Sequence, residues 1–374
     1  MLDAALAAID PDAIARDLSA LVQVPSLTGD ERAAVELFAA LASAQGLEAE
    51  VVEHDLSALR AHPDHPGEEA PRTELVNAIA FTPPVAGRPR ICLNGHLDVV
   101  GPGEQPWQRP PFGGEIEHGH VFGRGSADMK GGIVAALHAA GAVARTAGAD
   151  APYDVVVQGV ASEEDGGLGT FAALERDDDF AAALIPEPTA FGIVGVQAGA
   201  LTFTGTIPGV PAHAAVRLEG VSAIDRYVAV HQALAEHERR LNATPGHPLL
   251  APLELPYPVL VGRIEAGRWS SQVPDLLTFE GRVGVRVDET VAHAREQLEA
   301  VVHAACPEAT IAWTGGQFAP SVTDLDLPLV AAVARATEAE RGEAPLLGVP
   351  YGSDMRLFTA RGIPCVMLGA GGLE

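Results

Sequence analysis

Lysine is almost missing from this chain. Lys130 is the only one in 374 residues, and every other strongly basic side chain is arginine. Together with the abundant alanine, this depletion fits a biased genome or a salt-adapted host. Basic charge is short overall: 24 residues against 50 acidic ones, a formal net charge of −26. A surface that acidic repels nucleic acid and anionic membrane, so neither is expected as a partner. An anionic small molecule stays open, because one arginine inside a cleft overrides a distant field. Cysteine is scarce and odd in number. Cys92, Cys306 and Cys365 lie far apart, which excludes a disulfide framework and points to buried free thiols in a reducing compartment. The opening residues carry no basic leader, and no apolar run reaches the ~18 residues that a membrane span requires. A soluble, cytoplasmic protein is the expectation.

What is present is apolar bulk. It makes up 47% of the chain, enough for a large core, and 374 residues suit two domains. Residues 12–46 read as helix interrupted at Pro25–Gly29. The second part runs from Asp30, as N-cap, to Ala44, with Ala33, Leu37, Phe38 and Leu41 as its apolar stripe. Leu47–Val52 reads as a strand, and residues 54–73, rich in proline, histidine and acid, as an exposed loop.

An alternation follows. Strand Ile91–Leu93 leads into Gly95-His96-Leu97-Asp98, and Gly131–Ala147 is an alanine-rich helix. Strand Asp154–Val160 leads into Ser162-Glu163-Glu164-Asp165, a helix opens at Phe171–Leu174, and strand Ala181–Ile185 leads into Pro186-Glu187-Pro188. Strands alternating with helices predict an α/β fold with a mainly parallel sheet flanked by helices. His96, Asp98, Glu163, Glu164 and Glu187 all fall just past a strand's carboxyl end, where open α/β sheets carry their sites.

From about Ala198 the texture changes. Strands Ala200–Ile207, Val259–Ile264, Leu276–Val287 and Ile311–Trp313 accompany two long helices, Ser222–Arg240 and Val291–Ala305. This predicts a smaller α+β insert at 199–314. The first domain, 1–198 and 315–374, is then discontinuous and resumes with helix Pro328–Arg341 and strand Ile363–Leu368.

Four short segments carry chemistry. His96 and Asp98 project to one side if their strand continues, and a carboxylate there can hold the imidazole's second nitrogen. In the run from Gly123 to Gly132, four glycines surround Asp128 and the lone Lys130. A phosphate-cradling loop is the alternative, but the run lacks either nucleotide spacing, and Asp128 would repel phosphate. No Gly-x-Gly-x-x-Gly follows a strand, which argues against a dinucleotide-dependent redox enzyme. Glu163 and Glu164 follow a buried strand, so one can bind metal while the other acts as general base; a solvated turn is the plain alternative. Glu187 is aimed by a proline on either side.

In this order the segments resemble the zinc metallohydrolases that include acetylornithine deacetylase, succinyl-diaminopimelate desuccinylase, aminoacylase and glutamate carboxypeptidase. The likeness runs from about Leu21 to Gly371 and is carried by GHLDVV (95–100), WQRPPFGGEIEHGHVFGRGSADMKGG (107–132), ASEEDGG (161–167) and IPEPT (185–189). It implies two zinc ions, with cobalt or manganese as alternatives. His96, Asp128 and Glu187 would hold one, and Asp128 would bridge to a second held by Glu164. Glu163 would be the general base and Asp98 would orient His96.

The same resemblance makes the insert a lid and dimerisation domain. His213 would stabilise the oxyanion in the neighbouring subunit's site, in a homodimer. Arg356 of Tyr351-Gly352-Ser353-Asp354-Met355-Arg356 would grip a substrate carboxylate, with Arg282 a second candidate. Their plain readings are a loop histidine and a surface Arg356–Asp354 ion pair. The implied activity is removal of an acyl group from an N-acyl amino acid. A dipeptidase or carboxypeptidase, or a non-catalytic metal-binding relative, is the alternative. The family's last ligand histidine follows a strand like Pro364–Leu368, whereas this chain stops at Gly371-Gly372-Leu373-Glu374. Either the chain as given is truncated, the favoured reading, with Leu373-Glu374 a conceivable cloning remnant, or its second zinc site lacks a ligand; in both cases that site is incomplete in the chain as given.

Overall fold

The computed structural model describes residues 2–372. They divide into two compact units. The first comprises residues up to 195, 323–347 and those from 353 on; the second comprises 196–322 and 348–352. The second thus runs past the 199–314 read from the sequence. Its last strand continues through Gly315-Gly316 behind a register shift, and the two glycines hide that strand in a propensity reading.

In the first unit, strands β1 (Glu48–Glu53), β2 (Val76–Phe81), β3 (Arg90–His96), β4 (Asp154–Val160), β5 (Ala182–Ile185) and β6 (Ile193–Gln197) join the strand Cys365–Met367. The order is β1-β2-β4-β3-β5, then Cys365–Met367, then β6. Pairing is parallel at the centre, from β4 through β3 and β5 to Cys365–Met367. It is antiparallel at the flanks, between β1 and β2, β2 and β4, and Cys365–Met367 and β6.

Helices α1 (Pro11–Val22), α2 (Arg32–Ala44) and α3 (Gly131–Thr146) precede α4 (Leu168–Arg176). One face of the sheet, with Val76, Ala78, Ala80 and Val157, packs against Val35 and Phe38 of α2 and Ile133 and Leu137 of α3. Strand alternation turns Asn77 and Asn94 to the other face. There Asn77 Nδ2 donates to the Gly169 carbonyl (2.8 Å) and Asn94 Nδ2 to Thr170 Oγ1 (3.0 Å), fixing the start of α4.

Three readings need correction. Asp30 does not cap α2; the N-cap is Glu31, and its carboxylate turns away to accept from Gly29 N (2.7 Å) and Arg72 (3.2 Å). The α2 stripe is rotated: Ala34, Val35, Phe38 and Ala42 are buried and Ala33 is exposed. Residues 54–73 are not simply an exposed loop. They open with a short helix, Leu56–Arg60, capped by Asp55, and end on Arg72, whose side chain is fully buried. A five-residue helix is too short to show a period.

In the second unit, β7 (Gly199–Pro208), β8 (Val259–Ala266), β9 (Leu276–Val285) and β10 (Thr310–Phe318) form an antiparallel sheet in the order β8-β9-β7-β10. Helices α5 (Ala223–Leu241) and α6 (Val291–Ala305) bury Tyr227, Val230, Leu234, Leu298 and Val302 against Phe203, Leu277 and Phe279. All three cysteines are buried free thiols. No described helix is long and apolar enough to cross a membrane.

Candidate metal centre and active site

Parallel neighbours β4, β3 and β5 end side by side, so the loops after them converge. His96 closes β3 and is 1% exposed. Its Nε2 lies 3.2 Å from Asp128 Oδ1 and 3.9 Å from Glu187 Oε1. Single ligand atoms of His96, Asp128 and Glu164 all lie within 4.8 Å of one another. One imidazole among carboxylates is a donor set that suits zinc, cobalt or manganese.

Electrostatics point the same way. Burial pushes Glu164 up to about 7 and Glu187 up to about 8, with Asp128 adding to both against the pull of His96. Glu163 is raised well above the usual carboxylate range, by burial and then by Asp354. Burial works against the His96 imidazolium, yet the Asp128 hydrogen bond and Glu187 hold its pKa well above the ordinary value. So many acids around one imidazole are destabilised by mutual repulsion, and a cation among them would relieve it.

Backbone geometry places these groups. Gly125 takes φ +80° in the turn before Asp128. At Gly132, a Cβ would lie 1.9 Å from the Pro186 carbonyl oxygen, so only glycine lets the start of α3 pass under the Glu187 loop. Asp98 does more than the His-x-Asp reading suggested. His96 Nδ1 meets its backbone oxygen at 2.9 Å, whereas its carboxylate is 3.6 Å away. That carboxylate instead accepts from the backbone N–H groups of Glu163 (3.1 Å) and Glu164 (3.2 Å) and from Thr28 Oγ1 (3.1 Å). It fixes the turn carrying both glutamates.

A family model for peptidase family M20/M25/M40 matches residues 92–374. The chain belongs to that family. This places the M20 chain among hydrolases of amide bonds. It is 31% identical to the succinyl-diaminopimelate desuccinylase of Rhodospirillum centenum, over 75% of this chain and 73% of that protein. It is 27% identical to an N-formyl-4-amino-5-aminomethyl-2-methylpyrimidine deformylase of Bacillus subtilis, over 76% and 72%.

Among solved structures, an M20 family metallo-carboxypeptidase from Sulfolobus solfataricus superposes with TM-score 0.74 at 15% identity, covering 95% of this chain and 91% of that one. A Staphylococcus aureus tripeptidase gives 0.72 at 18%, covering 97% and 91%. These structural likenesses concern the fold.

Two basic residues of this M20 chain lie inside the fold. Lys130 is fully buried, and its Nζ donates to the carbonyls of Leu21 (2.9 Å) and Val24 (3.1 Å) at the end of α1. It ties the Asp128 loop to that helix. Arg356 is buried too. It donates to the carbonyls of Ser353 (2.9 Å) and Gly166 (2.6 Å) and sits 3.6 Å from Asp354, so it braces the Gly166 turn.

In the second unit, His213 is exposed, its Nδ1 accepting from Ala215 N (3.1 Å), and Arg282 is exposed with its guanidinium 5.7 Å from the Phe318 ring centre. Leu373 and Glu374 lie outside the described residues.

The sequence reading missed a buried ion cluster behind the Glu163–Glu164 turn. Arg72 pairs with Glu31 (3.2 Å) and Asp165 (3.1 Å). Asp165 also accepts from the backbone N–H groups of Glu69 (3.0 Å) and Ala70 (2.8 Å) and from Ser162 Oγ. Only the adjacency of Asp165 to Glu164 hinted at it.

Proposed function

We propose that this chain is a metal-dependent amidohydrolase that removes the acyl group from an N-acyl amino acid. The observation that carries the reading is the clustering of His96, Asp128 and Glu164, with Glu187 at 3.9 Å from the imidazole, beside a buried Glu163. His96, Asp128, Glu164 and Glu187 hold the metal in this reading. Bound there, a zinc pair supplies Lewis acidity toward the scissile carbonyl and lowers the pKa of water. Glu163 takes the proton from the attacking water and returns it to the leaving amine. Asp98 keeps Glu163 in register through the two N–H bonds it accepts.

The two curated relatives reported above are named for removing succinyl and formyl groups, which supports deacylation. The peptidases among the structures are matched at 15% and 18% identity, and a dipeptidase or carboxypeptidase is the second reading. Arg356, committed to two carbonyls, serves the turn rather than the substrate carboxylate; Arg282 is the candidate for that carboxylate.

The second unit acts as a lid and dimerisation domain. Its edge strand β8 exposes Leu260 and Ile264, an open edge suited to pairing across a two-fold axis. His213 then serves the neighbouring subunit's oxyanion. Light scattering should give a dimer, and a monomer would remove that role.

The decisive experiment joins metal analysis to a panel of N-acetylornithine, N-succinyl-diaminopimelate, other N-acyl amino acids and dipeptides. Chelator-sensitive turnover of an acylated amino acid is expected. His96→Ala should lower bound metal together with turnover. No turnover of any panel member by metal-loaded protein would remove the reading, and turnover of dipeptides alone would replace it by the second.

A further inference from the structure

The sheet face that carries Asn77 and Asn94 is only partly covered by α4. Over its uncovered part lies a cavity of about 400 Å³, a size usual for small-molecule sites. Its floor is Ile79 and Phe81 of β2 with Val156 and Gln158 of β4. The register pairs Ile79 with Gln158 and Phe81 with Val156, which puts all four on one side. The metal-site residues follow the carboxyl ends of the parallel strands β3, β4 and β5, whereas the cavity lies over the start and middle of β4 and the stretch of the antiparallel β2 beside it. It is a separate place in the same unit.

Two ion pairs stand at its rim, Arg90 with Asp177 (2.7 Å) and Arg176 with Glu50 (2.9 Å). Asp154 is likewise matched, by Arg88 (3.0 Å). Every charge at the rim is therefore already compensated. His54, also lining the cavity, shares a hydrogen bond with Asn77 (3.0 Å). Burial and the nearby Arg176 push its pKa down to about 4, so it is neutral near pH 7.

Gln158 is the exception to this completeness. It is 2% exposed, and its Oε1 accepts from Asn94 Nδ2 (3.1 Å). Its Nε2 donates to no protein group among the described residues, although it lines the cavity. A donor that faces a cavity is met there by solvent, and a ligand oxygen would take the solvent's place.

We propose that this cavity binds an uncharged, amphipathic small molecule whose carbonyl or carboxamide oxygen accepts from Gln158 Nε2 while its apolar body lies on Ile79, Phe81 and Val156. Charged ligands are disfavoured, because they would lose hydration without finding an unpaired counter-charge.

The test follows the Ile79 δ1-methyl resonance in full-length, metal-loaded protein, in a Glu163→Gln background that prevents turnover of the probes. N-acetyl-leucinamide should shift that methyl saturably. Anionic N-acetyl-leucine and cationic leucinamide should bind it at least tenfold more weakly. Gln158→Leu should weaken the neutral probe about tenfold, the loss of one hydrogen bond. Ala173→Met, which fills the cavity from α4, should abolish the shift and serves if Gln158→Leu does not fold. An Ile79 methyl unmoved by the neutral probe would overturn the proposal. So would charged probes binding as well as the neutral one, or unchanged binding in either folded cavity variant.

Discussion

Replacing Glu163 by Gln is expected to lower kcat by roughly 10²–10⁴-fold while bound metal stays at the wild-type level. The substitution keeps the size of the side chain and leaves untouched the backbone N–H that Asp98 holds at 3.1 Å. It removes only the ability to accept and return a proton. Glu163 is 9% exposed, and burial followed by repulsion from Asp354 raises its pKa well above that of a free carboxyl. A basic group with a raised pKa is a stronger proton acceptor once a neighbouring cation keeps it ionised. Steady-state kinetics with metal analysis on the same samples check the claim. Turnover at the wild-type rate would remove Glu163 from the chemistry. A parallel loss of metal would make it a ligand instead.

Arg72→Met should be the most damaging substitution outside the metal cluster, costing roughly 3–5 kcal/mol, the usual penalty for breaking a buried ion pair. The corresponding drop in Tm is about 10 °C for a unit of this size. The guanidinium has no solvent exposure, and its partners Glu31 and Asp165 are 4% and 5% exposed in their side chains. Removing the cation leaves both acids buried and unmatched. The deficit should narrow as pH falls from 7 toward 5. With Arg72 in place, burial followed by Asp98 already pushes Glu31 up to about 7. A folded-state pKa above the unfolded value means that Glu31 stabilises the fold when protonated and loses that contribution as pH rises through its folded pKa. Without Arg72 the carboxyl binds its proton more tightly still.

Adding Glu31→Gln and Asp165→Asn to Arg72→Met should recover most of the stability, because the cost lies in unpaired charge rather than lost packing. Thermal unfolding of the three proteins across that pH range decides it. A deficit independent of pH, or no recovery in the triple variant, would count against this account.

Much of the catalytic unit was legible along the chain because its signals are local. Asp154–Val160 is rich in valine, as a strand buried on both faces requires, and the structure gives that strand with the same limits. Helices Pro328–Arg341 and, in the second unit, Val291–Ala305 likewise have the limits read from the sequence. Strand β2 was not read, since Val76–Phe81 includes a buried Asn77 and two alanines and shows no alternation; its Asn is there to bind Gly169 and Ala161. The acids after the strands could be named as candidates, since each stands beside a local signal: a strand end, a glycine run or a pair of prolines.

By itself, the sequence determined the family, the alternation of strands and helices, and the short list of side chains able to hold a cation. These depend on residue type and on spacing over a few positions. Tertiary structure alone decided which partners those side chains meet. It turned the Asp98 carboxylate from His96 toward the N–H groups of Glu163 and Glu164, committed Lys130 and Arg356 to backbone carbonyls, and closed Arg72 over Glu31 and Asp165. These contacts join positions 65 to 190 residues apart in several cases. The physical reason is that a charge taken out of water must find its counterpart inside the fold, and no local pattern along the chain specifies which distant group that will be.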